Sequence, residues 1–471
     1  FPIFKAFGIL RMTIFKEVFV LSGAGVGGGS LVYANTLLVP KEKIWKDPNW
    51  EALNNWAEVM PKFFAIASTM LGVTINPYLS PPDQLLEKVA TKLKLPFYPT
   101  QVGVYFGKPG IKTADPYFNG EGPDRTGCTL CGACMVGCRE GAKNTLLKNY
   151  LYFAEKNGAK IIPETFVTDI QPLDSSDGSQ GYKVTYQNST QLLSFRSAQL
   201  TAKGVVVAAG VLGTLKLLLS CQQKGTLKLS PKLGELVRTN SESILGVRDF
   251  SFEMGQGVAI GSGIYLNDHT HIEAVRFPKG SDALSLLSTH LPIYTQKSPI
   301  LLNWIVGFIK RPLQMLKNLN PFGWAASTLI LLVMQTLDNS LTLTLRRNLF
   351  FMKTLQTKSN SGIKAYLPEA QSFVHSLAGK SGIPLTTLTE IFLKIPTTAH
   401  ILGGATMGLD DQKGVVNFKN EVFNYRNLYI CDGSVISANL GVNPSLTIAA
   451  LTEHAMSHIP ENKMYSNETH K

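Results

Sequence analysis

No stretch of this chain runs for about twenty apolar residues without a charge, the length a membrane-crossing helix needs. Its apolar runs, 205–219, 298–309 and 324–334, are shorter, and the first is interrupted by Lys216. Acid is scarce: 33 Asp and Glu face 45 Lys and Arg, for a net charge of +12. That balance favours anionic partners such as phosphates or acidic lipid surfaces. No nucleic-acid partner is expected, because the chain has neither a basic stripe interleaved with aromatics nor a docking motif. Cysteine is scarce too. Of six, four fall between Cys128 and Cys138, a clustering that suits a metal site over a disulfide framework and points to a reducing compartment. Low-complexity tails and internal repeats are absent. The opening FPIFKAFGILRMTIFKEVFVLSG also lacks the basic start, apolar run and small-residue cleavage site of a secretory leader. Because the first residue is Phe1 and not Met, the start of the gene product is expected to lie upstream. A cytoplasmic or membrane-peripheral location is favoured, with secretion left open.

What is present is a globular composition, 44% hydrophobic and 17% charged with 41 glycines, in a chain of 471 residues. That length exceeds one ordinary core and suggests two domains sharing a chain that crosses between them. Runs of β-branched residues at 17–21, 160–162, 181–187, 204–209 and 427–431 read as strands, several of them buried and parallel. Helical patterns fill 45–71, 82–93, 143–157, 213–224 and 444–458. Alternating strand and helix around 143–224 and in the last third argue for an α/β nucleotide-binding layer. Residues 303–324 mix Trp, Phe, Ile and Leu with Lys310, Arg311 and Lys317. Two readings stand for them: an interfacial segment resting on a bilayer, or a helical flap over a substrate cavity.

Gly23-Ala24-Gly25-Val26-Gly27-Gly28-Gly29-Ser30 contains G-x-G-x-x-G after a plausible strand. A dinucleotide fold, however, needs an acidic residue at the end of a second strand about twenty residues on, and the following sequence has no clean βαβ pattern. The bare backbone of Gly25, Gly27, Gly28, Gly29 and Ser30 still permits close approach to a flavin or its pyrophosphate. A second anion site is suggested by the apolar run from Gly204, the turn at Gly210 and the helix after it.

Three blocks near the C-terminus are the most informative: Thr398-Ala399-His400-Ile401-Leu402-Gly403-Gly404, then 427–434 ending in Asp432-Gly433-Ser434, then Gly441-Val442-Asn443-Pro444. In this order they resemble the C-terminal signature of the glucose-methanol-choline (GMC) oxidoreductase family, closely so its cholesterol-oxidase branch. The resemblance extends to 23–40, 138–151, 204–219, 271–284 and 330–339, nearly the whole chain. It implies an α/β fold: a doubly wound FAD-binding layer plus a substrate domain with a mixed or antiparallel sheet and covering helices, discontinuous in sequence. The expected segments are 1–140 (substrate domain with the flavin-contacting loop), 141–235 (FAD-binding), 236–415 (steroid cavity) and 416–471 (FAD-binding).

It also implies roles. His400 and Asn443 match the family's pair that holds the alcohol oxygen while its hydrogen leaves as hydride to the flavin. A histidine titrating near pH 6.5 is suited to share that proton. Glu273 aligns with the carboxylate that moves the Δ5 double bond of a steroid ketone to Δ4; an ordinary strand glutamate is the alternative. Asp432, Gly433, Asn443 and Pro444 are expected to frame the flavin, with the following helix aiming its positive end at the ring. Ile401 replaces a usual Pro and Ala405 a common Cys, neither of which removes a reacting group. The implied substrate is a 3β-hydroxysteroid or another lipophilic alcohol, with a long-chain alcohol as the nearest alternative, and the electron acceptor is O2 or another species. From a different class comes an inactive lipid-binding or electron-transfer relative.

Cys128-x2-Cys131-x2-Cys134-x3-Cys138 has ferredoxin-type spacing, with Arg139 in place of the usual Pro. A [4Fe–4S] cluster is one occupant, held by these four or by three of them with Cys221 or Cys431. Zinc is another, and reduced cysteines packing a loop a third. The strand, G-x-G-x-x-G and helix with which the family binds the ADP half of FAD are not found, so the chain is expected to be a fragment of a longer product.

Overall fold

The computed structural model describes residues 8–190, 196–251, 253–294, 299–348, 353–359 and 363–459. Ser298, which opens one of the apolar runs, lies outside them.

The largest element is a seven-stranded sheet, ordered Ser288–His290, Ile383–Thr387, Ser243–Arg248, Thr328–Gln335, Thr270–Val275, Ile260–Tyr265 and Phe97–Pro99, with every neighbouring pair antiparallel. Side chains alternate across such a sheet, and here both faces are covered. Ile272, Ala274, Leu329, Leu331 and Val333 join one core with Leu86 of helix α2 (Pro81–Leu93) and Phe373 of helix α8 (Pro368–Ala378). Val275, Leu332 and Met334 point the other way and pack with Ala34 and Met135. Glu273, pairing Leu332 on one side and Gly263 on the other, belongs to this second face, toward the glycine-rich loop and the cysteine segment.

A second core gathers helices α1 (Trp56–Leu71), α4 (Gly210–Lys224) and α9 (Ser445–Met456) around Leu215, Leu218, Leu402, Ile430 and Leu446. Within it Val205–Val207 runs parallel to Leu428–Ile430, so the turn into α4 and the Asp432 loop both emerge from C-terminal strand ends. That is where α/β sheets place their ligands.

Several sequence expectations shift. The run at 160–162 forms no strand. The run at 181–187 is the strand Tyr182–Asn188, the centre of an antiparallel three-stranded sheet whose register neighbours are local hairpin partners. Residues 45–55 do not extend helix α1: Trp45 lies in a 3-10 turn and stacks on Trp50 at 5.0 Å, so burial of the indoles overrides helical periodicity. Helix α3 covers only Tyr150–Lys156 of the expected 143–157, with Asn149 accepting a bond from the Tyr150 amide, because Lys143 and Asn144 are recruited to other contacts described below.

Candidate active site

The three residues expected at the alcohol converge. Thr397–Thr398 pairs in parallel with Phe19–Gly23, and His400 follows on a loop held by its own amide bonding to Thr398 Oγ1 at 2.9 Å. Gly403, with φ +75, lets that loop press against the backbone at Leu236, where a Cβ would lie 2.1 Å from the carbonyl oxygen. Its amide bonds to Gly433 O at 2.9 Å, which joins the His400 loop to the Asp432 loop.

The residue that sequence reasoning missed is Glu242. Fully buried, it accepts a bond from His400 Nδ1 and another from the Ala399 amide at 2.7 Å. Donation from Nδ1 leaves Nε2 of the neutral ring as the acceptor nitrogen. Burial opposes charge on His400, yet the Glu242 carboxylate, by proximity and hydrogen bond, carries its pKa above the ordinary histidine value, with Glu273 adding to the effect. Glu242 sits in a run of unusual backbone: Asn240 and Ser241 have φ of +54 and +46. Asn240 clamps the third loop from there, donating to Val442 O at 3.0 Å and accepting from the Gly441 amide at 2.9 Å. The SES tripeptide 241–243 carries no motif spacing, so only a search for an acidic partner to His400 would have found it.

Asn443 Nδ2 donates to Glu273 Oε2 at 3.0 Å. Burial raises the Glu273 pKa to about 8, against the lowering influence of Asn443 and His400. Glu273 Oε1 and Asn443 Oδ1 are both buried and have no hydrogen-bond partner among the described residues. Buried polar atoms are rarely left so, and an oxygen-bearing ligand is the natural partner. Tyr98 meets His271 two residues before Glu273 on the same face, and burial depresses His271 to about 3; it is a neutral neighbour that lends the site no positive charge.

The cofactor side fits a flavin nucleotide. The glycine-rich loop leads into a 3-10 turn, Gly28–Leu31, and not into an α-helix, as the weak dinucleotide match implied. Gly25 and Gly27 have φ of +151 and +106, and a Cβ at Gly28 or Gly29 would meet nothing within 4 Å, so the backbone lies open for close approach. The loop is pinned from 143–146: Ser30 Oγ accepts the Leu146 amide at 3.0 Å, and buried Lys143 donates to Leu31 O and Tyr33 O at 3.0 and 2.9 Å. At the parallel strands, Thr214 Oγ1 donates to Asp432 Oδ2 at 2.5 Å and Asp432 caps Ser434. Gly210, with φ +69, is equally open. Pro444 caps helix α9, whose first turn carries no acid, so its positive end lies beside Asn443.

Cys128, Cys131, Cys134 and Cys138 line one small cavity together with Gly132, Lys143 and Gly257. All four are free thiols. Cys221 and Cys431 do not line it: Cys221 Sγ donates to Asp169 at 3.3 Å in the α4 core, and Cys431 packs against Tyr429 and Ala455, so neither substitutes for a member of the run. Among the described residues no group of three or more His, Cys, Asp and Glu side chains is arranged to hold a metal ion.

Two family models described as GMC oxidoreductase match residues 122–223 and 345–452. The chain is 47% identical over 472 residues to a cholesterol oxidase of Acinetobacter baumannii, an alignment covering 98% of this chain and 85% of that one. Against a cholesterol oxidase of Mycobacterium tuberculosis the identity is 42% over 482 residues, covering 98% and 82%. Among solved structures, pyridoxine 4-oxidase from Mesorbium loti superposes with a TM-score of 0.61 at 13% identity, over 97% of this chain and 90% of that one, a likeness of fold. With such identity along nearly its whole length, the chain belongs to the GMC oxidoreductase family and is an FAD-dependent oxidoreductase acting on CH–OH donors.

Proposed function

We propose that this chain oxidises a 3β-hydroxysteroid to the ketone and then isomerises Δ5 to Δ4. The observation that carries the reading is the buried Glu273 carboxyl, one oxygen held by Asn443 and the other unengaged, on an enclosed apolar sheet face. The cholesterol oxidases at 47% and 42% identity support it. His400 Nε2 takes the hydroxyl proton, steadied by Glu242, while Asn443 orients the oxygen. Bound FAD supplies the acceptor for the carbinol hydrogen with its electron pair. Glu273 then removes a proton from the carbon between ketone and double bond and returns it to the far carbon of the original double bond, so that the bond shifts into conjugation with no net oxidation. With O2 as final acceptor the coproduct is hydrogen peroxide. Anaerobic addition of cholesterol tests this: bleaching of the flavin bands with formation of the conjugated enone is expected. Bleaching by long-chain alcohols but not by cholesterol overturns it, and a colourless protein favours the inactive relative.

We infer, second, that the four-cysteine cavity holds an iron–sulfur cluster. Ferredoxin spacing and convergence on one cavity support it. Among the described residues no three His, Cys, Asp or Glu side chains are arranged to hold a metal ion, so reduced thiols packing the loop are the competing reading. Iron and acid-labile sulfide in anaerobically purified protein, lost in Cys131→Ser, are expected; stoichiometric zinc, or neither metal, refutes it.

A further inference from the structure

Residues 303–324 fold into two helices, α5 (Ile300–Lys310) and α6 (Pro312–Leu319), joined at Arg311 and followed by α7 (Trp324–Ser327). Their inner side is tied to the edge of the large sheet. Trp304 Nε1 donates to Thr289 Oγ1 at 2.9 Å and its ring stacks on His290 at 5.4 Å. Gly307 brings the helix so close that a Cβ there would lie 2.5 Å from His290 Nε2, and Met315 is buried with Ile383 and Leu385. The pair is thus a docked element whose orientation the sheet determines.

Its outer side is apolar and uncovered. Ile309, Leu313, Leu316, Leu319 and Phe322 are 62–79% exposed, and exposed Phe392 continues the surface through its ring contact with Trp304 at 5.3 Å. Scattered exposed leucines are ordinary, whereas a contiguous patch marks an interaction surface. The charges set among these residues are all positive: Lys310, Arg311, Lys317 and, beyond Phe392, Lys394. Asp282 is occupied in accepting the Gly323 and Ala325 amides at 3.0 Å each, and Glu390 is buried against Ser243 and Thr386.

We propose that the outer face of α5–α6 seats the enzyme on an anionic phospholipid bilayer. Apolar residues would enter the acyl boundary while the interspersed cations meet acidic headgroups, the arrangement of an interfacial helix. A second protein copy is disfavoured by the like charges it would bring together. The proposal does not depend on which alcohol is oxidised.

The test uses sterol-free vesicles of phosphatidylcholine, alone or with phosphatidylserine, and co-sedimentation of the holoenzyme. Strong binding only with phosphatidylserine, weakened by salt, is expected. Ile309→Asp with Leu313→Asp should abolish binding, and Lys310→Glu with Arg311→Glu should weaken it about a hundredfold. All four positions are exposed, so an unchanged melting temperature and soluble-substrate turnover verify the fold. Absence of sedimentation, or variants that bind like the parent, overturns the proposal. So does a dimer in sedimentation velocity that the Ile309→Asp/Leu313→Asp pair dissociates, which would assign the face to a second copy of the chain.

Discussion

Asn443 Nδ2 donates to Glu273 Oε2 at 3.0 Å across 170 residues of sequence, bringing within one hydrogen bond the amide and the carboxyl to which the proposed reaction assigns alcohol orientation and isomerisation. In the proposed reaction this one contact would couple oxidation to isomerisation.

Glu273→Gln should separate the two steps. The amide retains a bond with Asn443 but cannot accept the migrating proton, so oxidation is expected to survive within about tenfold while the unconjugated ketone accumulates. General-base contributions of about 10²–10⁴ set the scale of the lost step. Product analysis by ultraviolet absorbance of the enone checks it. In the parent, isomerisation should rise with pH and level off above about 8, where burial places the Glu273 pKa.

The same carboxyl makes a stability prediction. Its folded pKa of about 8 lies above the ordinary 4.5, so the folded protein holds a proton that the unfolded chain has released. Below the ordinary value both states are protonated and nothing is lost; as pH rises from there to about 8 the parent loses stability progressively, and above it the loss is constant. Glu273→Gln lacks this dependence, so its melting temperature should gain on the parent across that window. Parallel melting curves at pH 5 and 8 would contradict the assigned environment.

Glu242→Gln should weaken His400 as a base without displacing it. The carboxylate is what carries the His400 pKa above the ordinary value against burial; a neutral amide removes the charge and keeps a hydrogen bond. Flavin reduction is expected to slow by about tenfold to a hundredfold, with its acidic pH limb moved downward and KM little changed. A merely structural loss would lower amplitude without moving the limb.

Gly403→Ala should unfold the His400 loop. Positive φ and a Cβ 2.1 Å from Leu236 O exceed what local adjustment absorbs, and a loss of about 2 kcal/mol or more is expected. Thermal melts check it, with lowered flavin content as a second readout.

Much of the site was legible beforehand because it is carried by short, contiguous patterns. The glycine run, the His400, Asp432 and Asn443 blocks and the cysteine spacing each specify local backbone or donor type, and local chemistry can be read along a chain. The structure places Gly25–Ser30 in a turn without a following helix and brings His400, Asn443 and Glu273 together. What the chain did not disclose depends on registers between distant strands. Glu242 resembles any polar residue before a strand until Ser243–Arg248 pairs with Thr328–Gln335 and sets it beneath His400.

The sequence by itself determined the chemistry available: a His and an Asn in family-signature blocks, open glycine turns, four spaced thiols and a basic apolar segment. Only the tertiary structure decided which of these groups share an environment, because burial, the unpartnered oxygens and the shifted proton affinities of Glu273 and His400 arise from neighbours far away in sequence. It likewise decided that one face of the α5–α6 pair is anchored to the sheet and the other left bare, since a helical pattern fixes which residues lie on one side but not what that side will meet.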